Sequence, residues 1–436
     1  MTSEIVIMNK NGIAVAADSA ATLSEEKIFR DIKIFTLSKY HPIGLMIYGS
    51  SQFLGIPWET IVKIYRNKLK TNNFPRLFDF FDDLINFLKN PQETIYNNQF
   101  SEFQKQFFIE FFDFMRIIFD SLIDEIERRV ELKISKKSSI THKEIEEICT
   151  DVIKEQEEHI NLLEFHAILT KKDVYIIKRL YKKEIDIFIK EVFQNLPISR
   201  NKNKLRLIIV NVYIKWYLQE LNHTGLVIFG FGKDEIFPSC KDLSIEGIIN
   251  DELKLKEGIE RSISLSEPAA IVPFAQKDMI YSFMTGILPN FRDFITEFYI
   301  ASHGIYKIEL QKYMQFSGKK EKQFLSASKS IKSNLLAFYN DVMKAFVGQN
   351  VEDIYNVVEH LPKEELAQMA EALISLTSIK QRVTMVAETV SGPIDVAIIS
   401  KGDGLVWIKR KYYFPPELNP QFRELYYFGD AELDKE

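Results

Sequence analysis

The residue in this chain best equipped for chemistry is Thr2, because removal of Met1 would leave it carrying both a hydroxyl and a free α-amino group. A threonine hydroxyl is a weak nucleophile and needs a base within hydrogen-bond reach. An α-amino group can be that base, since its pKa lies near neutrality. A small second residue permits loss of the initiator methionine, although a Met-Thr start is common and says little alone. Two other arrangements invite a chemical reading. His159 and His166 share a helix face with Glu155 and Glu158 nearby, but a solvated face explains them better than a metal site. Gly230-x-Gly232 lacks the third glycine of a dinucleotide loop and the Gly-Lys-Ser/Thr of a phosphate loop, so it reads as a hairpin turn.

The residues after Thr2 sharpen the reading. Thr2-Ser3-Glu4-Ile5-Val6 leads through Gly12-Ile13-Ala14-Val15-Ala16-Ala17-Asp18-Ser19 to Ile32-Lys33-Ile34-Phe35 and then Tyr48-Gly49-Ser50. This series resembles the proteasome β-type N-terminal nucleophile hydrolases and their bacterial relatives, in a variant with large helical insertions. The resemblance implies that Thr2 is the nucleophile, that Asp18 ends the second strand, that Lys33 starts the third, and that Gly49 contributes a backbone N–H to the oxyanion hole. Lys33 would favour the deprotonated hydroxyl by its charge, and Asp18 would fix Lys33 in place. Near the carboxyl end, Glu388-Thr389-Val390-Ser391-Gly392-Pro393-Ile394-Asp395-Val396 is similar to a family segment in which Glu388 and Ser391 would support the mature amino terminus. Glu388 stands where the family usually has aspartate, and Pro393 replaces a glycine and removes a backbone donor. The family's serine before its third helix has no counterpart in Ile271 to Gln276, where Gln276 is the polar residue available.

The elements that must position these residues are legible as patterns. Glu4 to Met8 and Gly12 to Ala17 flank Asn9-Lys10-Asn11-Gly12, a hairpin signal. Ile32 to Leu37 and Ile43 to Tyr48 repeat the arrangement before a helical stretch through Tyr65, giving four strands and then a helix. From about 72 to 201 the pattern becomes long amphipathic helices such as Phe107 to Arg129. Leu205 to Leu221 reads as a helix, and Leu226 to Phe231 with Glu235 to Cys240 as a tightly connected strand pair. Helices from Gln276 onward lead to one starting at Pro362 and running to about Arg382. Ile394 to Ser400 and Leu405 to Ile408 flank a last hairpin signal, Lys401-Gly402-Asp403-Gly404.

Composition bounds the partners. Among 436 residues, 46% are hydrophobic, enough for substantial cores, while 56 basic and 61 acidic residues leave no positive excess to attract nucleic acid. Two cysteines, Cys149 and Cys240, have no zinc-finger spacing, which argues against a disulfide framework and suits a reducing, cytoplasmic compartment. No leader and no uncharged apolar run of about 18 residues is evident, so no membrane association is expected.

The resemblance therefore implies an α+β fold, a four-layer αββα sandwich with an inserted helical module. Residues 1–71 and 201–436 would form the core, with a smaller helical insertion near 292–362, and residues 72–200 would form the main insertion. The implied activity is hydrolysis of amide, chiefly peptide, bonds through a Thr2 acyl-enzyme, without a cofactor or metal. A peptide or protein substrate and a homo-oligomer are expected; an unfoldase or adaptor is left open. Two alternatives stand beside this: a non-catalytic proteasome-like assembly or scaffold protein, and a small-molecule amidase or acylase.

Overall fold

The computed structural model describes residues 2–24, 27–30, 32–90, 100–137, 139–163, 169–215, 223–249, 252–314, 318–384, 392–412 and 414–421. The chain opens with strands β1 (Ser3–Asn9) and β2 (Gly12–Asp18), then β3 (Ala20–Ser24), β4 (Lys27–Arg30), β5 (Ile34–Thr36), β6 (Ile43–Gly49) and the short β7 (Gln52–Phe53) and β8 (Ile56–Pro57). Helices α1 (Trp58–Leu69), α2 (Leu77–Lys89), α3 (Phe100–Lys137), α4 (His142–Asn161), α5 (Lys171–Leu180), α6 (Lys182–Val192) and α7 (Lys202–Lys215) come next. Strands return as β9 (Thr224–Gly230), β10 (Ser239–Ile249), β11 (Glu252–Ser262) and β12 (Ala269–Ala275). Then come α8 (Asp278–Thr285), α9 (Pro289–Met314), α10 (Lys319–Val358), α11 (Lys363–Val383), β13 (Ile394–Ser400) and β14 (Gly404–Lys409).

The architecture is mixed α and β with antiparallel sheets. One five-stranded sheet has the order β12-β1-β2-β13-β14, the other β11-β10-β9-β6-β5. Strand alternation explains how their faces divide. Val6, Met8, Val15, Ala397 and Ile399 of the first sheet share one apolar cluster with Met46, Val227 and Phe229 of the second. The opposite faces carry other clusters: Ile5, Ile7, Ala14 and Ile398 pack with Ile280 of α8 and Leu366 and Ile374 of α11, while Leu45, Leu226 and Ile245 pack with Trp58, Tyr65 and Phe81 of α1 and α2. Because β1 and β2 are covered on both faces, they read as near-continuous apolar runs.

Helices α3 to α7 form their own core, centred on Phe108, Phe112, Phe119, Ile153, Phe188 and Ile209 and joined to the sheet through Ile249. The aromatic stripes of Phe78 to Phe87 and Phe107 to Phe119 are thus largely core. Thr141 and Thr170 cap α4 and α5 through reciprocal bonds with Glu144 and Asp173. Among the described residues no helix is long and apolar enough to cross a membrane.

Three expectations need correction. The first four expected strands are interrupted by β3 and β4, whose pairing of Ala20 with Arg30 was not signalled by any turn residue pair. Glu235 to Pro238 is a loop: the Glu235 carboxylate accepts from Gly232 N and Leu77 N, and Lys401 Nζ donates to the carbonyls of Gly232, Lys233 and Glu235, so the backbone here is held by side chains. Strand β10 instead begins at Ser239 and pairs with an unforeseen β11. The expected helix from Leu205 starts earlier, at Lys202, and its last expected turns lie outside the described residues.

Candidate active site

Thr2 lies at the edge of the ladder that holds β1. Gln276 N donates to Thr2 O at 2.9 Å, continuing the register in which Ser3 faces Ala275, and Ser3 Oγ reaches Gln276 O at 3.5 Å. Gln276 thus meets Thr2 through its main chain. The preceding Ala275 has φ +56°, a strained conformation for a residue with a Cβ, and it turns the chain away just beside Thr2. Thr2 itself is only 5% exposed, and its hydroxyl has no hydrogen-bond partner among the described residues.

Asp18 and Lys33 are brought together beside it. Lys33 Nζ donates to Asp18 Oδ1 at 2.7 Å, and Ser3 N donates to the same oxygen at 3.0 Å. Ala20 N reaches Asp18 Oδ2 at 3.3 Å. Both side chains are buried, so this charge-assisted pair acts in a medium that screens it weakly. Lys33 O in turn accepts from Ile47 N at 2.9 Å, which ties the lysine to β6 two residues before Gly49. Gly49 has φ +81°, and a Cβ there would fall 2.3 Å from His223 O, so both torsion and space require glycine. Burial holds the His223 imidazole below its ordinary value, favouring the neutral ring.

Glu388 and Ser391 lie outside the described residues. The segment just beyond them in the chain reaches the site: Ser19, next to Asp18, donates its hydroxyl to Pro393 O, the carbonyl of the residue that departs from the family pattern. His166 also lies outside the described residues, whereas Glu155 binds Arg129 and no metal-binding group of three occurs among those described.

Several acidic groups near this pair escaped sequence reading. Register aligns Phe274, Glu4, Ala17 and Asp395 across β12, β1, β2 and β13, and alternation puts them on the face turned to the other sheet. Glu4 is fully buried, with neither carboxyl oxygen hydrogen-bonded among the described residues. Burial drives its carboxyl well above the usual carboxylate range; Lys33 opposes the shift and Asp18 adds to it. Asp395 is also pushed up by burial, against the Lys411 backbone N–H that it accepts. Across the gap, Tyr48 stacks on Phe274 with centroids 5.9 Å apart and donates to Asp242 at 3.1 Å. The available signal was a glutamate opening an otherwise apolar alternation, Glu4, Val6, Met8.

The geometry shows a buried threonine hydroxyl without a partner among the described residues, one residue before the backbone N–H that shares an Asp18 oxygen with a buried lysine, in a mixed α and β frame. No family model matches the chain, and no curated protein matches it. Among solved structures, the chain is similar to the Anbu complex of Pseudomonas aeruginosa, solved as a helical assembly, at 9% identity over 99% of this chain and 96% of that one, with TM-score 0.32. It is also similar to Anbu, an ancestral beta-subunit, from Yersinia bercovieri at 8% identity over 97% and 93%, TM-score 0.26. A Gly-1 mutant of Anbu from Hyphomicrobium sp. strain MC1 matches at 8% identity over all of both chains, TM-score 0.28. These findings correct the expected membership of the proteasome β-type N-terminal nucleophile hydrolases: the neighbours are Anbu proteins, and superpositions this loose assign neither that superfamily nor an activity.

Proposed function

We propose that the chain is an N-terminal threonine hydrolase that cleaves amide, chiefly peptide, bonds once Met1 has been removed. The observation that carries this reading is the shared oxygen of Asp18, which joins Lys33 Nζ to the backbone of Ser3, the residue bonded to Thr2. In the proposed reaction the Thr2 amine takes the hydroxyl proton and Oγ attacks the amide carbonyl. The tetrahedral oxyanion is stabilised by Gly49 N–H, with Lys33 supplying positive charge. Collapse expels the leaving amine, which receives the proton from the Thr2 ammonium, and water then hydrolyses the ester. Glu388 and Ser391 keep their proposed role at the mature amino terminus.

The same proposal reads the two sheets and their flanking helices as four layers, supported by the three apolar clusters between them. It takes residues 72–200 as an inserted module and 292–362 as a second one on a core of 1–71 and 201–436. It also includes a homo-oligomer, supported by exposed aromatic side chains on α9 and α10 such as Phe298, Tyr306 and Phe338.

The second reading, a non-catalytic assembly protein, is favoured by the burial of the Thr2 hydroxyl. Intact mass and amino-terminal sequencing, with an acylating or epoxyketone threonine probe, separate the two. Loss of Met1 with an adduct on Thr2, absent in Thr2→Ala, supports the hydrolase; retained Met1 without an adduct favours the assembly protein.

A further inference from the structure

We infer that Glu4 is a positioning residue for Thr2: its carboxyl holds a proton in the resting site and, on losing it, places a second negative charge beside Lys33. The inference rests on the Thr2 reading above and adds a group that this reading does not use.

The geometry begins with the strand. Thr2 and Glu4 are two residues apart in a ladder that continues through the Thr2–Gln276 bond, so their side chains leave the same face, about 7 Å apart by strand rise. Both end in oxygen atoms that are buried and have no hydrogen-bond partner among the described residues. One orphaned buried polar group is unusual, and two neighbouring ones on the face of a candidate nucleophile call for a functional account. The structural alternative for Glu4 is poor, because an apolar residue would fill this slot between Phe274 and Ala17 without a desolvation cost.

Charges on every element around Glu4 decide its form. Lys33, preceding β5, is attractive, but its ammonium is bonded to Asp18 of β2. Asp395 of β13 lies one register position beyond Ala17, and Asp242 of β10 is bonded to the neutral Tyr48 of β6. Gln276 on the β12 side is uncharged, and His223 before β9 is held neutral by burial. Burial comes first, and with Asp18 both occupying Lys33 and adding its own negative charge, the neutral carboxyl is the favoured form, in agreement with the upward direction of its shift. Ionisation would stabilise the protonated Thr2 amine and so raise the pH at which it becomes the free base that activates the hydroxyl.

The test combines two readouts on the full chain. First, labelling of Thr2 by a β-lactone probe is measured against pH in wild type, Glu4→Gln and Glu4→Leu. Labelling should rise with pH as the Thr2 amine gives up its proton; both variants should match wild type within about twofold at low pH and at the plateau, and label about tenfold faster on the rising limb once Glu4 ionises in wild type, the effect of one pKa unit. Glu4→Leu keeps the test intact should Glu4→Gln fold poorly. Second, pH-difference infrared spectra should show the carbonyl band of a protonated carboxylic acid that titrates at the pH where the wild-type and variant profiles separate and is missing in both variants. A band absent from wild type overturns the inference whatever the labelling. A band present with unchanged labelling profiles overturns it while leaving the Thr2 reading intact. No labelling of wild type at any pH, with the band present, overturns the Thr2 reading and the positioning role with it, though Glu4 would still be seen to hold its proton.

Discussion

Lys33 Nζ and Ser3 N converge on one oxygen of Asp18, at 2.7 and 3.0 Å, so a single carboxylate registers the lysine against the first hydrogen-bonded step of β1. Removing Lys33 would take away the ammonium paired at 2.7 Å with the buried Asp18 carboxylate. Lys33→Ala is expected to destabilise the fold by about 3–5 kcal/mol. It should also reduce probe labelling of Thr2 at least about a hundredfold, on the scale of losing one electrostatic stabiliser. Urea unfolding and labelling rates check the two parts separately, and full labelling at unchanged stability would sink both.

Gly49 offers a sharper steric prediction. Gly49→Ala must adopt φ near +81° with a methyl group against His223 O, at a cost of about 1–3 kcal/mol. The melting temperature should fall accordingly, whereas Gly402→Ala, which meets nothing nearby, should leave it within experimental error.

The Asp395 carboxyl is raised by burial, which fixes the sign of its linkage. A carboxyl whose folded pKa exceeds its unfolded value binds its proton more tightly in the native state. The native advantage is therefore complete below the unfolded pKa, near 4, and is lost as pH climbs through the folded value. Asp395→Asn should flatten that decline, gaining stability relative to wild type between about pH 4 and neutrality. Denaturant titrations at a series of pH values would show a steeper loss in the variant if the assignment were wrong.

Both cysteines are buried, and burial pushes the Cys240 thiol up to about 12 and raises Cys149 as well. A thiol-reactive dye should leave the native protein essentially unlabelled at pH 8 and titrate two groups after unfolding. Rapid modification of either in the native state would count against their packing.

Much of this frame was readable because it is local. The Asn9-Lys10-Asn11-Gly12 turn, the near-continuous apolar runs of β1 and β2, and the hairpin of β13 and β14 each carry their own signal. The pairing of Asp18 with Lys33 came from their spacing in a resemblance rather than from periodicity. Features decided at a distance stayed hidden: the end of β10 at Ile249, the loop at Glu235 stabilised by Lys401, and the orphaned carboxyl of Glu4, whose burial depends on Phe274 and Asp395 arriving from far along the chain.

The position of β1 between β12 and β2 has a consequence for biosynthesis. The strand that begins beside Thr2 cannot be clamped until residues 269–275 have emerged and folded back onto it. Until then the amino terminus is an open tail, accessible to the aminopeptidases that trim nascent chains. Once β12 docks, Thr2 is 5% exposed and Gln276 N holds its carbonyl. On the hydrolase proposal, removal of Met1 would therefore fall within an interval during synthesis that closes when β12 docks.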